Sequence, residues 1–349
     1  MWLVIGMALF RDRSIQEVVE HLELAIARPG PRGGVAPSAI PPARERLGVE
    51  AVKYLFELTA QKWAAAEAEK DRWNGLSVWG LDGSCLRIAD TVENEGAFGR
   101  PGSWRSTSGY PQVRLVALMA LRSHILADMN VGGYHESEMT LVKPLWAKVP
   151  DESLTIVDRG FISWGPLYAL QTCGENKHWL TRTKSNLNLK HVKKLGAGDS
   201  LVEISPSSKV RKENPQMPAT FVARLVSYKV KGYRAQNLLT SMVDVEKYPA
   251  REMAELYHER LELELGYDEV KTHMLEREEA LRSKKPNGVL QEVAGIGLAY
   301  NLVRVEMARV AAEMELAPTR LSFRHALVLI RNFCLAAWAT SPGAVPQSS

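Results

Sequence analysis

Residues 257–271 read YHERLELELGYDEVK, and their spacing defines the faces of a helix. At 100° per residue, five large side chains in and around this stretch fall within about 40° of one direction: Leu256, Leu263, Tyr267, Val270 and Met274. A stripe of this kind packs on a core. The stretch therefore predicts an amphipathic helix that covers the interior of a globular fold.

A second stripe flanks the first and carries polar groups spaced 3, 4 and 7 residues apart: Tyr257, Arg260, Glu264 and Lys271. Of the five acidic residues in the stretch, Glu264 lies on this boundary between basic side chains, where a site can form. Glu262 and Glu269 point away from the core stripe and are predicted to be solvated. An ion pair between Arg260 and Glu264 explains their i, i+4 spacing equally well.

Two aspartates upstream occupy positions that favour ligand binding. Asp158 follows the apolar strand in SLTIVDRGF, and ligands bind at the carboxyl ends of such strands in α/β sheets, although a helix cap or turn also accounts for it. Asp82 lies in VWGLDGSCLRIADT, where Asp82-Gly83 also fits a hairpin turn. Asp90, eight residues later, is an alternative to Asp82 that spacing does not eliminate.

Composition narrows the class of protein. The 349 residues are 46% apolar, which is enough for a buried core, and the longest apolar run is the ten residues MWLVIGMALF, against about 20 for a membrane span. We interpret that run as a buried helix. The three cysteines, Cys85, Cys173 and Cys334, are far apart, which argues against a disulfide framework or a zinc site and favours a reducing, cytosolic setting.

Charge is unevenly distributed along the chain. Residues 177–234 contain thirteen Lys/Arg and three Asp/Glu, a balance of 13 − 3 = +10, whereas residues 251–280 contain four and ten, a balance of 4 − 10 = −6. A basic block beside an acidic helix suggests that one binds a polyanion and the other holds metal ions, although two solvated faces of opposite sign give the same counts.

The order of predicted elements favours an α/β core. A helical front end is followed by three short strands in a meander, then by alternating helix and strand up to about residue 184. Strand-like, basic segments follow, with SPSSKVRKENPQMP as a polar loop between them, and helices return at 249–280, 288–314 and 322–339. Pro249 suits the first turn of the first of these helices.

In the order strand Asp, strand Asp, helix Glu, these residues resemble the DDE transposases of the insertion-sequence-four group. The third-acid signature of that group, Y-x-x-R-x-x-x-E-x-x-x-x-x-x-K, is matched at every position by Tyr257, Arg260, Glu264 and Lys271. LDGSCLRIADTVENEGAFGRP and IVDRGF are also similar to the group, and the similarity covers roughly residues 8–335.

The resemblance implies that Asp82, Asp158 and Glu264 form a catalytic triad that binds two Mg²⁺ ions, for which Mn²⁺ can substitute. Carboxylates suit such hard cations, which activate in-line displacement at a phosphodiester. The gaps of 158 − 82 = 76 and 264 − 158 = 106 residues agree with this order. DNA backbone contacts are expected from these residues: Tyr257, Arg260, Lys271, Arg182, Lys184, Arg282 and Lys284. Ordinary surface charge explains the last four equally well.

The implied fold is α/β, with a ribonuclease H-like mixed sheet flanked by helices and a β-rich insertion between the second and third acids. The expected regions are a helical N-terminal region (1–75), the first part of the catalytic core (76–184), the insertion (185–245), a core helix with the third acid (246–285) and a helical C-terminal region (286–349). Relatives carry additional residues before the point that matches Met1, so we expect the first region to be a shortened DNA-end-binding domain.

One feature of the group, a tryptophan that stacks a flipped base, is less well matched. Some members stack a flipped base on a tryptophan near the corresponding L-L-T strand, where this chain has Gln236 and Asn237. Tyr233 or Trp179 could substitute for that tryptophan, which leaves open whether a hairpin intermediate is used.

The activity that the resemblance implies is cut-and-paste transposition by a cytoplasmic, nucleoid-associated bacterial enzyme. Its partners would be double-stranded DNA, as terminal inverted repeats and as target, and a second copy of the chain in a dimer, with no membrane and no small-molecule substrate. Two alternatives remain open at this point: a DNA-binding remnant that no longer transposes, and a ribonuclease H-like nuclease without strand transfer.

Overall fold

The fold was analysed in a computed structural model that describes residues 1–22, 35–102, 109–184, 187, 189–229, 235–275 and 280–340. The strands are β1 (Ser77–Arg87), β2 (Gln112–Ala120), β3 (Ile125–Gly133), β4 (Ser153–Val157), β5 (Lys177–Arg182), β6 (Leu189–Gly196), β7 (Asp199–Ile204), β8 (Phe221–Tyr228) and β9 (Gln236–Thr240). Across these ranges they form one sheet in the order β3-β2-β1-β4-β5-β9-β8-β7-β6.

The first five strands form the core predicted from the sequence. β1, β2 and β3 pair antiparallel as the expected meander, and β4 and β5 then add parallel to β1. This mixed sheet flanked by helices is the ribonuclease H-like arrangement that the resemblance implies. Since β1, β4 and β5 run in the same direction, their carboxyl ends lie at one edge of the sheet.

The basic block continues the same sheet. β9 pairs antiparallel with β5, and β8, β7 and β6 follow outward in antiparallel order. The predicted polar loop within this block contains a short helix, α8 (Ser208–Glu213), whose first turn is capped by the Ser207 hydroxyl.

Helices cover both faces of the sheet. They are α1 (Trp2–Leu9), α2 (Ile15–His21), α3 (Ile40–Ala68), α4 (Val92–Phe98), α5 (Glu138–Leu141), α6 (Lys143–Trp146), α7 (Trp164–Thr172), α9 (Ala250–Tyr257), α10 (Leu261–Asp268), α11 (Pro286–Glu313) and α12 (Phe323–Thr340). The apolar first segment forms α1 as predicted and is buried from Val4 to Ala8, whereas Trp2 at its start is exposed. Within the described ranges, no helix combines the length and the apolar character needed to cross a membrane.

The predicted helix at 249–280 is real but is not continuous. Pro249 is the N-cap of α9, so the helix begins at Ala250, one residue later than predicted, and a 3₁₀ turn at His258–Arg260 joins α9 to α10. A π-helix at Glu269–Met274 follows α10 directly. Every member of the predicted core stripe is buried, so the periodicity located the packed face correctly.

Candidate active site

The register of the parallel strands brings the two aspartates and one arginine side by side. Leu81 on β1 pairs with Val157 on β4, and Val157 pairs with Thr181 on β5. The next residues along the three strands are therefore level with one another: Asp82, Asp158 and Arg182. Neighbouring strands are about 4.8 Å apart, so these positions are adjacent at the edge of the sheet.

The three side chains also share one face of the sheet. Side chains alternate between faces along a strand, and Ile156 and Leu180 belong to the core cluster that contains Leu263 and Tyr267 of α10. Asp158 and Arg182 each follow one of these residues by two positions, and Asp82 likewise follows Gly80. All three therefore face the helix that carries Glu264.

Close packing holds that helix against β1. A Cβ on Gly80 would lie 2.7 Å from both methyl carbons of Leu263, so glycine is needed at this position for α10 to approach the strand. The Tyr267 hydroxyl donates to the Asp82 carbonyl at 2.6 Å and accepts from the Ala117 amide at 3.2 Å. Glu264, one turn before Tyr267, is consequently anchored near Asp82.

Arg260 links the acidic groups. Its guanidinium donates to Glu264 Oε1 at 2.7 Å, which is the i, i+4 ion pair that the sequence allowed. The same charge lowers the pKa of Asp82. Burial acts to lower the pKa of Arg260, but the hydrogen bond to Glu264 and the smaller effects of Tyr257 and Asp158 raise it overall. Arg260 is thus a shared cation for the three acids.

Asp82 carries a charge that the surrounding protein does not fully compensate. Burial raises the pKa of its carboxyl from 3.8 to about 6. The Gly83 amide, which donates to Asp82 Oδ1 at 2.8 Å, and Arg260 oppose this shift, whereas Glu138 and Asp158 add to it. A bound cation would relieve this cost.

Tyr257 and Lys271 flank the acids. Tyr257 is 7% exposed, and burial raises the pKa of its phenol, with smaller effects from Arg260, Asp158 and Arg182. Burial likewise raises the pKa of the Cys85 thiol, and the nearby Arg114 and Lys271 charges oppose that shift. Lys271 lies in the π-helix, seven residues after Glu264.

The donor chemistry fits a hard cation, but the donors are not assembled around one. Asp82 and Asp158 offer adjacent carboxylates on one face, which suit Mg²⁺. Across the described ranges, however, no three His, Cys, Asp or Glu side chains come together in a way that could hold a metal ion. Glu264 is paired with Arg260 instead.

Comparison with known proteins identifies the family. Residues 73–302 match the family model described as transposase DDE domain, and residues 1–57 match the one described as insertion element 4 transposase N-terminal. The chain is 38% identical over 348 residues to transposase InsG for insertion sequence element IS4 of Escherichia coli K12, covering 99% of this chain and 78% of that protein. This chain belongs to the IS4 family of DDE transposases.

Two further similarities are weaker. InsZ of the same strain is 35% identical over 188 residues, which is 54% of this transposase and 61% of that protein. Among solved structures, the piggyBac transposase in a synaptic complex with hairpin DNA matches 99% of this chain and 76% of that chain, with a TM-score of 0.49 and 12% identity. A similarity at that level carries no argument about this chain.

The structure decides between several alternatives left open by the sequence. Asp82 lies inside β1, so the hairpin turn at Asp82-Gly83 was wrong. Asp90 lies beyond the strand, about half exposed, and pairs with Arg100 at 2.6 Å. Asp158 does cap the 3₁₀ turn that follows β4, with the Gly160 amide donating to its Oδ2 at 3.4 Å. That weak cap leaves the other carboxylate oxygen available.

The remaining predicted DNA contacts separate into two groups. Lys184 follows Arg182 by two residues just beyond β5, on the side where the acids lie. Arg282 instead donates to the carbonyls of Phe10, Arg11 and Arg13, which ties it to the N-terminal region. These contacts favour a structural role for Arg282. Lys284 is exposed, and its carbonyl accepts from the Thr91 hydroxyl at 2.8 Å.

Two of the acids predicted to be solvated are not. The Glu262 carboxylate lies 2.7 Å from His124 Nε2, and Glu269 accepts from Tyr300 at 2.8 Å and from Arg304 at 2.7 Å. The helical projection placed both acids away from the main core, but α11 and the turn before β3 cover that side of the helix. The prediction was wrong because a single-helix projection does not include these neighbours.

The sequence analysis also missed Glu138, which lies beneath the site. A Cβ on Gly83 would be 2.6 Å from the Glu138 carboxyl group, so glycine after Asp82 admits this side chain. Glu138 pairs with Arg114 of β2 at 3.3 Å and acts on Asp82 from the opposite face of the sheet. The Asp-Gly dipeptide, for which a hairpin turn was one alternative, is in fact the point of this close approach.

The residues considered for base stacking lie in different environments. Trp179 is fully buried, and its indole N–H donates to Gln171 at 2.9 Å, so the expectation that it could receive a flipped base was wrong. Gln236 and Asn237 lie on β9 beside β8, with the Ser227 hydroxyl donating to Asn237. Tyr233 lies outside the described residues.

Proposed function

We propose that this transposase cleaves phosphodiester bonds at the ends of its element and joins the freed 3′-hydroxyl ends to target DNA. Asp82, Asp158 and Glu264 would together hold two Mg²⁺ ions, for which Mn²⁺ can substitute. When bound, the ions would neutralise the phosphate and polarise the attacking and leaving oxygens. The observation that carries the proposal is the level placement of Asp82 and Asp158 on one face, under the segment that carries Arg260 and Glu264.

The chain's own residues would then orient the DNA. Arg182 is level with the two aspartates and can contact the phosphate backbone without reading sequence, as can Lys184 just beyond it. Arg260 would exchange Glu264 for a phosphate oxygen when the carboxylate turns to a cation, and Tyr257 and Lys271 would contact phosphates on either side. The exchange costs little, because an ion pair with a half-exposed partner contributes only about 0–1 kcal/mol.

The proposed assembly is a dimer that holds two element ends, each a terminal inverted repeat, and captures a target duplex. In this arrangement the expected regions of the chain would have separate roles. The catalytic core at 76–184 and the helix at 246–285 would provide the acids, and the regions 1–75 and 185–245 would provide DNA contacts. Region 286–349 would support the core helix.

A cleavage and joining assay tests the proposal. The protein is incubated with a labelled DNA fragment that carries one element end, with target plasmid and Mg²⁺, and is compared with Asp82→Asn, Asp158→Asn and Glu264→Gln. We expect each variant to lose cleavage and joining but to keep DNA binding in a gel-shift assay.

Asp90→Asn is the matched control, since Asp90 was the rival to Asp82 and lies beyond β1 with an exposed side chain. It should cleave at the wild-type rate. Binding without cleavage by the wild-type protein would support the inactive remnant instead, and cleavage without joined product would support a nuclease that lacks strand transfer. Full activity of any of the three acid variants would refute the triad.

A further inference from the structure

The outermost strand of the sheet is exposed on both of its faces. β6 pairs with β7 along one side and ends the sheet, and each residue from Lys190 to Lys194 is exposed. Its pairing is interrupted by β-bulges between His191 and Lys193 and between Lys194 and Gly196. Bulges bend a strand and redirect its side chains, so β6 curves away from a flat edge.

The charge of this strand is positive and largely unpaired. Lys190 pairs with Glu203 at 3.1 Å. For Lys193 and Lys194, by contrast, no carboxylate in the described parts of the chain lies within ion-pair distance, 4.0 Å. Two neighbouring lysines without acidic partners create a local positive potential that favours an anionic ligand.

A groove of about 350 Å³ runs beside these lysines and is lined in part by His191, Gly196, Gly198, Ser200 and Ser227. Asp199 also borders it, but this carboxylate is 8% exposed and is held by Arg224 through Nε at 2.9 Å and NH2 at 2.6 Å. Among the described residues, Asp199 is the only acid that lines the groove, and Arg224 compensates it, so the groove keeps the charge of its lysines.

The sheet order sets the distance from β6 to the acids. Five strand steps separate β4, which ends at Asp158, from β6. At about 4.8 Å per step this is roughly 24 Å, and at about 3.4 Å per base pair it corresponds to roughly seven base pairs of duplex. A duplex whose end is at the acids can therefore reach β6 by lying along the sheet.

We propose that β6 and its groove bind the phosphate backbone of the element end, about seven base pairs from the bond that is cut. The inference rests on the proposed function. Charge complementarity and position favour this occupant, and the scarcity of aromatic side chains on β6 favours a contact that does not read sequence. Lysines on an edge strand can instead serve to prevent pairing with other sheets, which is the alternative to be tested.

The test compares the double variant Lys193→Ala/Lys194→Ala with the control Lys143→Ala/Lys148→Ala. The control lysines are exposed and lie in and just after α6, which packs on β3 at the opposite edge of the sheet. Binding is measured by fluorescence anisotropy across a range of NaCl concentrations. The probes are hairpin-capped duplexes of arbitrary sequence, one of 6 and one of about 16 base pairs.

We expect the β6 variant to bind the longer duplex about tenfold more weakly at 0.1 M salt, with a log–log salt slope reduced by about 2, one for each lost phosphate contact. Its affinity for the short duplex should not change, because that probe does not reach β6. A third variant, Lys193→Arg/Lys194→Arg, should keep the wild-type slope, which shows that charge and not folding is responsible.

Several outcomes would overturn the inference. They are an unchanged slope in the alanine variant, an equal loss in the control variant, and an equal loss on the short duplex. If the alanine variant aggregated and its salt slope were unchanged, the lysines would serve to prevent the edge strand from pairing with other sheets. Wild-type protein that fails to bind or cleave an element end would overturn the proposed function itself, whereas binding and cleavage with an unchanged slope would overturn only the role of β6.

Discussion

Two carboxylates in the segment from Tyr257 to Met274, those of Glu264 and Glu269, lie in opposite environments. Glu264 has 55% of its side chain exposed and pairs with Arg260. Glu269, five residues later at the start of the π-helix, has 15% exposed and is bound by Arg304 and Tyr300 from α11. The Arg304 guanidinium also contacts His124, which joins this network to the turn before β3.

The difference separates an acid that can change partners from one that cannot. An exposed pair contributes about 0–1 kcal/mol, so Glu264 can leave Arg260 at little cost. Breaking a buried pair costs about 3–5 kcal/mol, because the remaining charge is uncompensated. We infer that the Glu269 network fixes the position of the helix and that Glu264 is left mobile enough to meet a cation.

The largest expected effect is a loss of catalysis when the exposed Glu264 is changed. Glu264→Gln should reduce cleavage of an element end at least about 10³-fold, equivalent to about 4 kcal/mol of transition-state stabilisation. The urea midpoint should hardly move. The matched control is Glu255→Gln, which alters the i, i+4 pair with Arg251 on α9, at 3.0 Å and with a similarly exposed carboxylate. Equal losses of activity in both variants would contradict a special role for Glu264.

The next largest effect is a loss of stability when the buried Glu269 is changed. Glu269→Ala should lower the free energy of unfolding by about 3 kcal/mol, because Arg304 is 1% exposed and would lose its carboxylate. Urea denaturation followed by circular dichroism measures this change. The same change at the exposed Glu255 should cost less than about 0.5 kcal/mol. A cost this small at Glu269 would show that the network does not hold the helix.

The sequence could indicate the role proposed for Glu264 but not the partners of Glu269. The stripe of Leu263, Tyr267 and Val270 located the packed face, because one helix face against one core is a local pattern. The meander and the parallel strand before Asp158 followed from their own periodicity in the same way. The family signature then pointed to Glu264.

What the sequence could not predict depended on contacts distant along the chain. Glu269 is bound by a residue 35 positions later, and no spacing within one helix indicates that partner. Glu138 reaches the site because Gly83 leaves room for it. The Asp-Gly pair also fits a hairpin turn, so the local pattern alone did not indicate this approach.

A third prediction concerns Asp82, whose charge the surrounding protein does not fully compensate. The pKa of Asp82 is raised from 3.8 to about 6, so ionising this carboxyl destabilises the fold as pH rises from about 4 to about 6. Above pH 6 the cost reaches at most about 3 kcal/mol. Without divalent cations, Asp82→Asn should therefore be more stable than wild type at pH 8, by about 1–3 kcal/mol, and equally stable below pH 4.

Denaturation midpoints measured at both pH values check this prediction. Mg²⁺ should stabilise the wild-type protein at pH 8 and should stabilise Asp82→Asn much less. Asp90→Asn, which loses only its pair with Arg100, should be slightly less stable than wild type at pH 8. A stability difference for Asp82→Asn that does not change with pH would exclude the buried charge as its cause.

The smallest expected effect is the coupling between Arg260 and Glu264 themselves. A double-mutant cycle combines Arg260→Ala and Glu264→Ala, alone and together. Measured on the free energy of unfolding, it should give a coupling free energy of less than about 0.5 kcal/mol. The same cycle on Arg304 and Glu269 should give about 2 kcal/mol or more, since both side chains are largely buried. If the first coupling equalled the second, Glu264 would be held as firmly as Glu269. The exchange of Arg260 for a cation would then cost too much for the role that we propose for Glu264.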